Sequence, residues 1–376
     1  MGPLPSGDLL QHIVLDPSRD LPLHAQLKSS LRRLILHKFE DTNRFFSEAQ
    51  LIGHLQISQG TVRRALTDLA SDGMLEKRPA KGTIVRKKIK ADGLMNLAVF
   101  LPEYYSSNIT EVITRLNVEC LNRQIHLQSI FTHKGRSLQR AYQQLRFSPK
   151  EGAVVLLANT PIPTAELNTV LSEKGYDCIT VDTLLRDPEQ KFVGVDNKIG
   201  ITLGMDHLTS LGHRNIALLV NEPEASENVQ ERIDAFESYH RSSGLALKTR
   251  VFHTGVAVWQ NSATAALVGM EQIWNSSPRP TAIFTVSDPG ALAAIQWLQK
   301  RAIRVPKDVS VLGFDGAAFG ELIHPALSSI ATPFQDVADT VFAILERKSG
   351  REERIFLPPS LVIRESTAAP PLGGVK

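Results

Sequence analysis

The sequence predicts an α/β protein in two parts, a small winged helix-turn-helix head followed by two doubly wound lobes of parallel sheet. Three observations predict it. A cappable amphipathic helix runs straight into a basic hairpin between Ser58 and Val85. After Leu94, short continuous apolar runs alternate with helical stretches, the pattern of strands covered on both faces. The length, 376 residues, exceeds what one core usually supports, about 250 to 300.

In the head, Leu23, Leu27, Leu31, Leu34 and Ile35 mark an amphipathic helix ending near Phe39. Ser47 can cap a second, short helix that buries Leu51, Ile52 and Leu55. After a turn at Gln56-Ile57, Ser58 can cap a third, in which Val62, Leu66 and Leu69 recur at helical spacing and Gly73 supplies a cheap stop. Its other face is polar and basic, with Gln59, Thr61, Arg63 and Arg64 near the start. LEKRP and GTIVR then read as two strands around a tip at Ala80, Lys81 and Gly82. A major groove about 12 Å wide admits one such helix, while a cationic hairpin meets phosphates or the minor groove. From Gln56 to Lys90 nine Lys or Arg face three acids, which favours a nucleic-acid partner over a merely solvated surface. The basic then polar stretch RKKIKADGLM, residues 86 to 95, reads as a linker.

Beyond it the strand candidates are NLAVFL, IHLQSIF, GAVVLLA, DCITVD, FVGVD, NIALLV, a segment near 248 to 253, TAIFTV and VSVLGFD. Helices are expected between them near 108–123, 137–146, 164–174, 198–211, 228–243, 260–275 and 289–300. So many alternating elements imply two lobes with a cleft at the carboxyl ends of the strands. The resulting division is a flexible start over 1–20, the head over 21–86, the linker over 87–95, the two-lobed domain over 96–367 and a flexible Pro/Gly-rich tail over 368–376.

Charge follows the same division. Residues 1–94 hold 15 Lys or Arg against 10 Asp or Glu, and the remainder 27 against 29, so the excess of base sits in the head. Two cysteines, Cys120 and Cys178, build no disulfide framework and read as reduced core residues. With no apolar leader and no apolar run of about 18 residues, a cytoplasmic protein that does not cross the membrane is expected. No nucleophile elbow, P-loop, GxGxxG or HExxH occurs, so neither catalysis nor a cofactor is expected. His207 and His213 lack the carboxylate pattern of a metal site.

The head resembles the winged helix-turn-helix of GntR-family repressors. The match lies in S-E-x-x-L at Ser47, Glu48 and Leu51, S-x-x-T-V-R-x-A-L from Ser58 through Leu66, and G-T-x-V at Gly82 to Val85. The resemblance implies DNA contacts from Ser47, Ser58, Gln59, Gly60, Thr61, Arg63, Arg64, Lys81, Gly82 and Thr83. Two positions depart from it, Ala49 and Gln59, where that family often carries Arg. Gln pairs with adenine where Arg prefers guanine, so an altered half-site is expected.

The second region resembles the periplasmic-binding-protein-like effector domain of LacI-family repressors. The marks are D-N-x-x-G at Asp196 to Gly200, L-G-H-R at Leu211 to Arg214, V-P-x-D-V-S-V-x-G-F-D at Val305 to Asp315, and P-x-L-S-S-I at Pro325 to Ile330. That family's own DNA-binding head is replaced here by the GntR-like one. The resemblance implies effector contacts from Arg232, Ser287 and Asp315. Asp196 is carried over from the D-N-x-x-G motif, and Tyr104, Tyr105, Asn159 and Phe319 are added as cleft-facing or stacking candidates at strand ends. For Arg232 and Asp315 the competing reading is a salt bridge within the cleft. Trp259 is a further stacking candidate, with ordinary packing as its competitor. The expected protein is a homodimeric regulator of double-stranded operator DNA, controlled by a small-molecule effector, a sugar before a nucleoside or purine. A sugar-binding protein without DNA function is the remaining alternative.

Overall fold

The computed structural model describes residues 22–39, 43–71, 74–78, 82–86, 94–102, 106–132, 142–157, 161–185, 190–258, 260–346 and 354–371, with a few isolated positions and one short turn before residue 22 and residue 187. Two compact units make up the chain: Met1–Gly93 together with Leu121–Gln124, and Leu94–Cys120 together with Ile125–Lys376.

In the first unit α1 spans Leu23–Lys38, α2 Glu48–Leu55 and α3 Gln59–Ser71. Antiparallel β1 (Leu75–Arg78) and β2 (Gly82–Val85) follow, Leu75 opposite Val85. Ser47 starts α2 through a reciprocal capping box with Gln50, which satisfies two donors of the first turn. Ser58 accepts from the Thr61 amide at 3.2 Å to start α3. The apolar stripes converge: Leu27, Leu31 and Ile35 of α1 pack with Leu51 of α2 and Val62, Leu66 and Leu69 of α3 in one buried cluster, closed by Phe39, Phe45 and Phe46. Fully burying each such side chain contributes about 1.5 to 3 kcal/mol. The segment before α2 also joins the hairpin: the Phe45 amide donates to the Thr83 carbonyl and the Val85 amide to the Asn43 carbonyl, both at 2.8 Å.

The second unit holds two six-stranded sheets. The first sheet contains β3 (Asn96–Pro102), β4 (His126–Thr132), β5 (Gly152–Leu156), β6 (Asp177–Val181), β7 (Lys191–Val195) and β13 (Arg354–Leu357), in the order β13-β7-β6-β5-β3-β4. The second contains β8 (Asn215–Val220), β9 (Lys248–His253), β10 (Ala282–Thr285), β11 (Ser310–Asp315), β12 (Ser328–Ala331) and β14 (Ser360–Val362), in the order β14-β12-β11-β10-β8-β9. All pairings are parallel except that of β14 with β12. The helices are α4 (Ser107–Arg123), α5 (Pro161–Glu173), α6 (Asn197–Ser210), α7 (Glu227–Ser242), α8 (Ser262–Trp274), α9 (Asp288–Gln299) and α10 (Phe334–Glu346). Strands such as β5 and β11 are buried at every residue, which is why they read as unbroken apolar runs.

The chain crosses between sheets after β7, after β12 and again after β13, so each lobe is built from non-contiguous segments. Helix α10 packs its Val337, Val341 and Phe342 into the core of the first lobe. Close approach of α6 to the second sheet needs Gly204: a Cβ there would stand 2.5 Å from the Phe284 ring.

Three expectations need correction or restriction. The tail expected to be loose from Ala368 begins packed, because the Ala368 amide donates to Ser310 Oγ at 3.0 Å and its carbonyl accepts from that hydroxyl. The helix expected near 137–146 lies mostly outside the described residues, and 142–146 do not continue as one. The expected linker likewise falls mostly outside them. Cys120 and Cys178 are free and buried. Among the described residues no helix is long and apolar enough to cross a membrane.

Candidate functional site

On the head, α3 divides into a buried stripe and an exposed one. Val62, Ala65, Leu66 and Leu69 face the core, while Gln59, Gly60, Arg63 and Arg64 are exposed. Ser47 and Ser58 are exposed at the starts of α2 and α3, Gly82 is exposed and Thr83 half-exposed on the hairpin. Thr61 ties its hydroxyl to that of Ser58 at 2.8 Å. Arg63 and Lys77 both approach the Glu48 carboxylate, at 3.6 and 3.1 Å. That pairing, the lysine first, holds Glu48 below the usual carboxylate range. Exposed pairs of this kind contribute about 0 to 1 kcal/mol, so either cation can leave Glu48 for a stronger anion. Lys81 lies outside the described residues.

In the second unit a cavity of about 390 Å³ opens at the carboxyl ends of strands from both sheets. Ser106, Ser107 and Asn108 at the start of α4, Leu157 after β5, and Val181 and Asp182 at the end of β6 bound it on one side. Glu222 after β8, Arg232 of α7, Asn261 and Ser262 at the start of α8, Ser287 after β10, Asp315 of β11 and Phe319 bound it on the other.

Arg232 is 4% exposed and held from three directions. Its Nε donates to Asn197 Oδ1 at 2.8 Å, Nη1 donates to the Val286 carbonyl, and Nη1 stands 3.5 Å from Asp315 Oδ1. The guanidinium also lies 3.7 Å from the Phe314 ring centroid. The salt bridge read as an alternative is therefore present, and both partners still line the cavity. Asp315 has φ +123° and is followed by Gly316 at +74°. A Cβ on Gly316 would meet Ala331 at 2.6 Å, so this turn admits only glycine there. Ser287 Oγ accepts from Asn221 Nδ2 and donates to Glu222 Oε1, each at 2.7 Å.

Burial pushes the carboxyl groups of this cavity up. Asp315 rises well above its usual value, from burial first, with Arg232 opposing and Asp288, Glu222 and Asp182 adding. Glu222 and Asp182 rise for the same primary reason, and Asp288, beneath the cavity, is pushed up to about 7. Asp288 is fixed by Ser329 Oγ on Oδ1 and the Ala317 amide on Oδ2, both at 2.6 Å.

Of the expected effector residues, Arg232, Ser287, Asp315 and Phe319 come together here. Asp196 does not: it caps α6, its Oδ1 accepting from the Ile199 amide at 2.9 Å, and it lies off the cavity. An Asp three residues before a helical amide is the N-cap signature, which the motif reading overrode. Tyr104, Tyr105 and Asn159, together with Trp259, lie outside the described residues. Asp182, Glu222 and Ser107 were missed, because single acids or hydroxyls at strand and helix ends carry no spacing signal. His213 uses both ring nitrogens internally, Nδ1 with Thr281 and Nε2 with Ser310 and the Ala368 carbonyl.

The second unit thus has the two-lobed architecture of a periplasmic-binding-protein-like domain, and residues 205–367 match the family model of that description. Full-length relatives narrow the comparison to regulators. The chain is 25% identical over 341 residues to the arabinose metabolism transcriptional repressor of Halalkalibacterium halodurans, covering 86% of this chain and 90% of the relative. It is 24% identical over 378 residues to the repressor of the same name in Geobacillus stearothermophilus, covering 93% and 98%. A LacI transcriptional regulator from a Rhodococcus species superposes with a TM-score of 0.63 at 24% identity, over 73% of this chain and 98% of that one. These relatives are regulators rather than enzymes.

Proposed function

We propose that this chain is a cytoplasmic transcriptional repressor, a homodimer whose grip on operator DNA is set by a small polyol, a sugar, bound in the cavity of the second unit. The observation that carries the reading is the joining, in one chain, of an exposed basic helix-and-hairpin surface to a cavity lined from both lobes. The head acts as a winged helix-turn-helix of the GntR type: α3 enters the major groove, with Gln59 and Arg63 at base edges and the hairpin on phosphates. The short helix, exposed α3 and antiparallel hairpin of the first unit support that reading. Arg232 and Asp315 supply a donor fork and an acceptor to ligand hydroxyls, and Phe319 a face for the ring. Ligand bound there changes DNA affinity only if it prefers one arrangement of the lobes.

The test is selection of an operator from random duplexes with the full-length protein, followed by titration with sugars. Arg63→Ala is expected to weaken the selected operator at least tenfold with the melting temperature unchanged. Equal affinity would remove α3 from the recognition surface.

A further inference from the structure

The cavity is richer in acceptors than a neutral sugar requires. Asp182, Glu222 and Asp315 line it, and the one cation among its described lining residues, Arg232, already spends Nε on Asn197 and Nη1 on Val286 and Asp315. With one guanidinium, already engaged, facing these three buried carboxyl groups, ionising them is costly until a further cation joins them.

A second observation points to a ligand rather than to a structural acid cluster. Ser107, on the facing wall, is about nine-tenths buried and turns toward the same cavity. Next to it, Asn108 leaves its buried Oδ1 without a partner. Buried polar atoms are rarely left unsatisfied unless something else meets them. At two of the helix starts on the cavity the first-turn amides are already answered from within the chain: Asn261 caps α8, and the Ser106 hydroxyl accepts from the Ile109 amide in α4.

Resting on the reading of this cavity as the effector pocket, we propose that its ligand is an aminated polyol, a sugar carrying a protonated amine. The ammonium sits among Asp182, Glu222 and Asp315, and the hydroxyls meet Ser107, Asn108 and Arg232. A uronate or sugar phosphate is rejected by the same carboxylates. Burial raises these carboxyl groups, and an ammonium seated among them favours their ionised form and so releases whatever proton they hold.

The experiment is isothermal titration of the full-length protein with glucosamine, galactosamine and mannosamine, their neutral parents glucose, galactose and mannose, and glucuronate and galacturonate. The measurement is repeated in two buffers of different ionisation enthalpy. At least one amine is expected to bind tenfold or more tightly than its parent, with proton release, and to lose that advantage on N-acetylation. Glu222→Gln and Asp182→Asn are expected to shrink the ratio of amine to parent affinity at least threefold, and a ratio unchanged in both variants overturns the placement of the ammonium. A parent that binds as tightly as its amine, or a uronate that binds more tightly, overturns the inference and leaves the sugar-pocket reading standing. Silence from all these probes overturns both.

Discussion

Replacing Arg232 with Met tests the electrostatics of the second unit directly. The change keeps an apolar stem over Phe314 but removes the donors to Asn197 and Val286 and the ion pair to Asp315. Hydrogen bonds from a charged donor contribute about 1.5 to 3 kcal/mol each. Stranding a buried partner charge costs about 3 to 5 kcal/mol. These overlap rather than add, so a loss of about 3 to 5 kcal/mol is expected at pH 8. The loss is smaller at pH 5. Asp315 is already pushed well above its usual value with Arg232 opposing, so removing the arginine raises it further and the carboxyl stays protonated in acid. Urea unfolding at both pH values measures it, and Asp315→Asn in the Arg232→Met background should recover at least 1 kcal/mol at pH 8. An equal loss at both pH values, with no recovery in the double variant, would refute the coupling of the two groups.

Two further outcomes follow from packing and from charge. Gly204→Ala brings a Cβ to 2.5 and 2.6 Å from Phe284 ring atoms, and overpacking of that kind costs about 1 to 3 kcal/mol, read as a lower denaturation midpoint at unchanged slope. For pH, Asp288 has a folded value of about 7 against an ordinary 3.8, so the native state binds a proton that the unfolded chain releases. Its contribution is present below the ordinary value and lost as pH rises through about 7. His207 and His213, lowered by burial, act only below their ordinary 6.5. The melting temperature should therefore fall between pH 6.5 and 8, and a flat profile there would contradict the raised carboxyl groups.

How far the sequence led differs between regions for physical reasons. The head was legible because its signals are local: Ser47 and Ser58 each sit just before an apolar stripe of helical period, and both do start helices. The central strands were legible because burial on both faces leaves no polar break in β5 or β11. The pairing of 43–45 with the hairpin was not, since Asn43 and Arg44 carry no strand pattern and meet Ile84 and Val85 only once the chain has folded. Nor were β12, α10, β13 and β14, whose places depend on the crossings. In the cavity, Arg232, Ser287, Asp315 and Phe319 came through motif and strand-end position. Asp182 and Glu222 did not, because an acid acquires its role from what converges on it. Asp196 shows the reverse, a motif residue whose carboxylate is spent locally on a helix start.

The interleaving of the lobes bears on how the protein is made on the ribosome. The outer edge of the first sheet is β13, whose Arg354 stands opposite Phe192 of β7, and the cover over that lobe's core includes α10. Both are translated after the entire second sheet apart from β14. During synthesis the earlier lobe therefore emerges with β7 as a bare edge and with the apolar groove for Val341 and Phe342 open. The groove stays open until α10 begins at Phe334 and the edge stays bare until β13 begins at Arg354, while the chain grows at about 5 to 20 residues per second. The lobe that is begun first is completed only after nearly all of the second has been made, and the interval between is when the nascent chain most needs a chaperone.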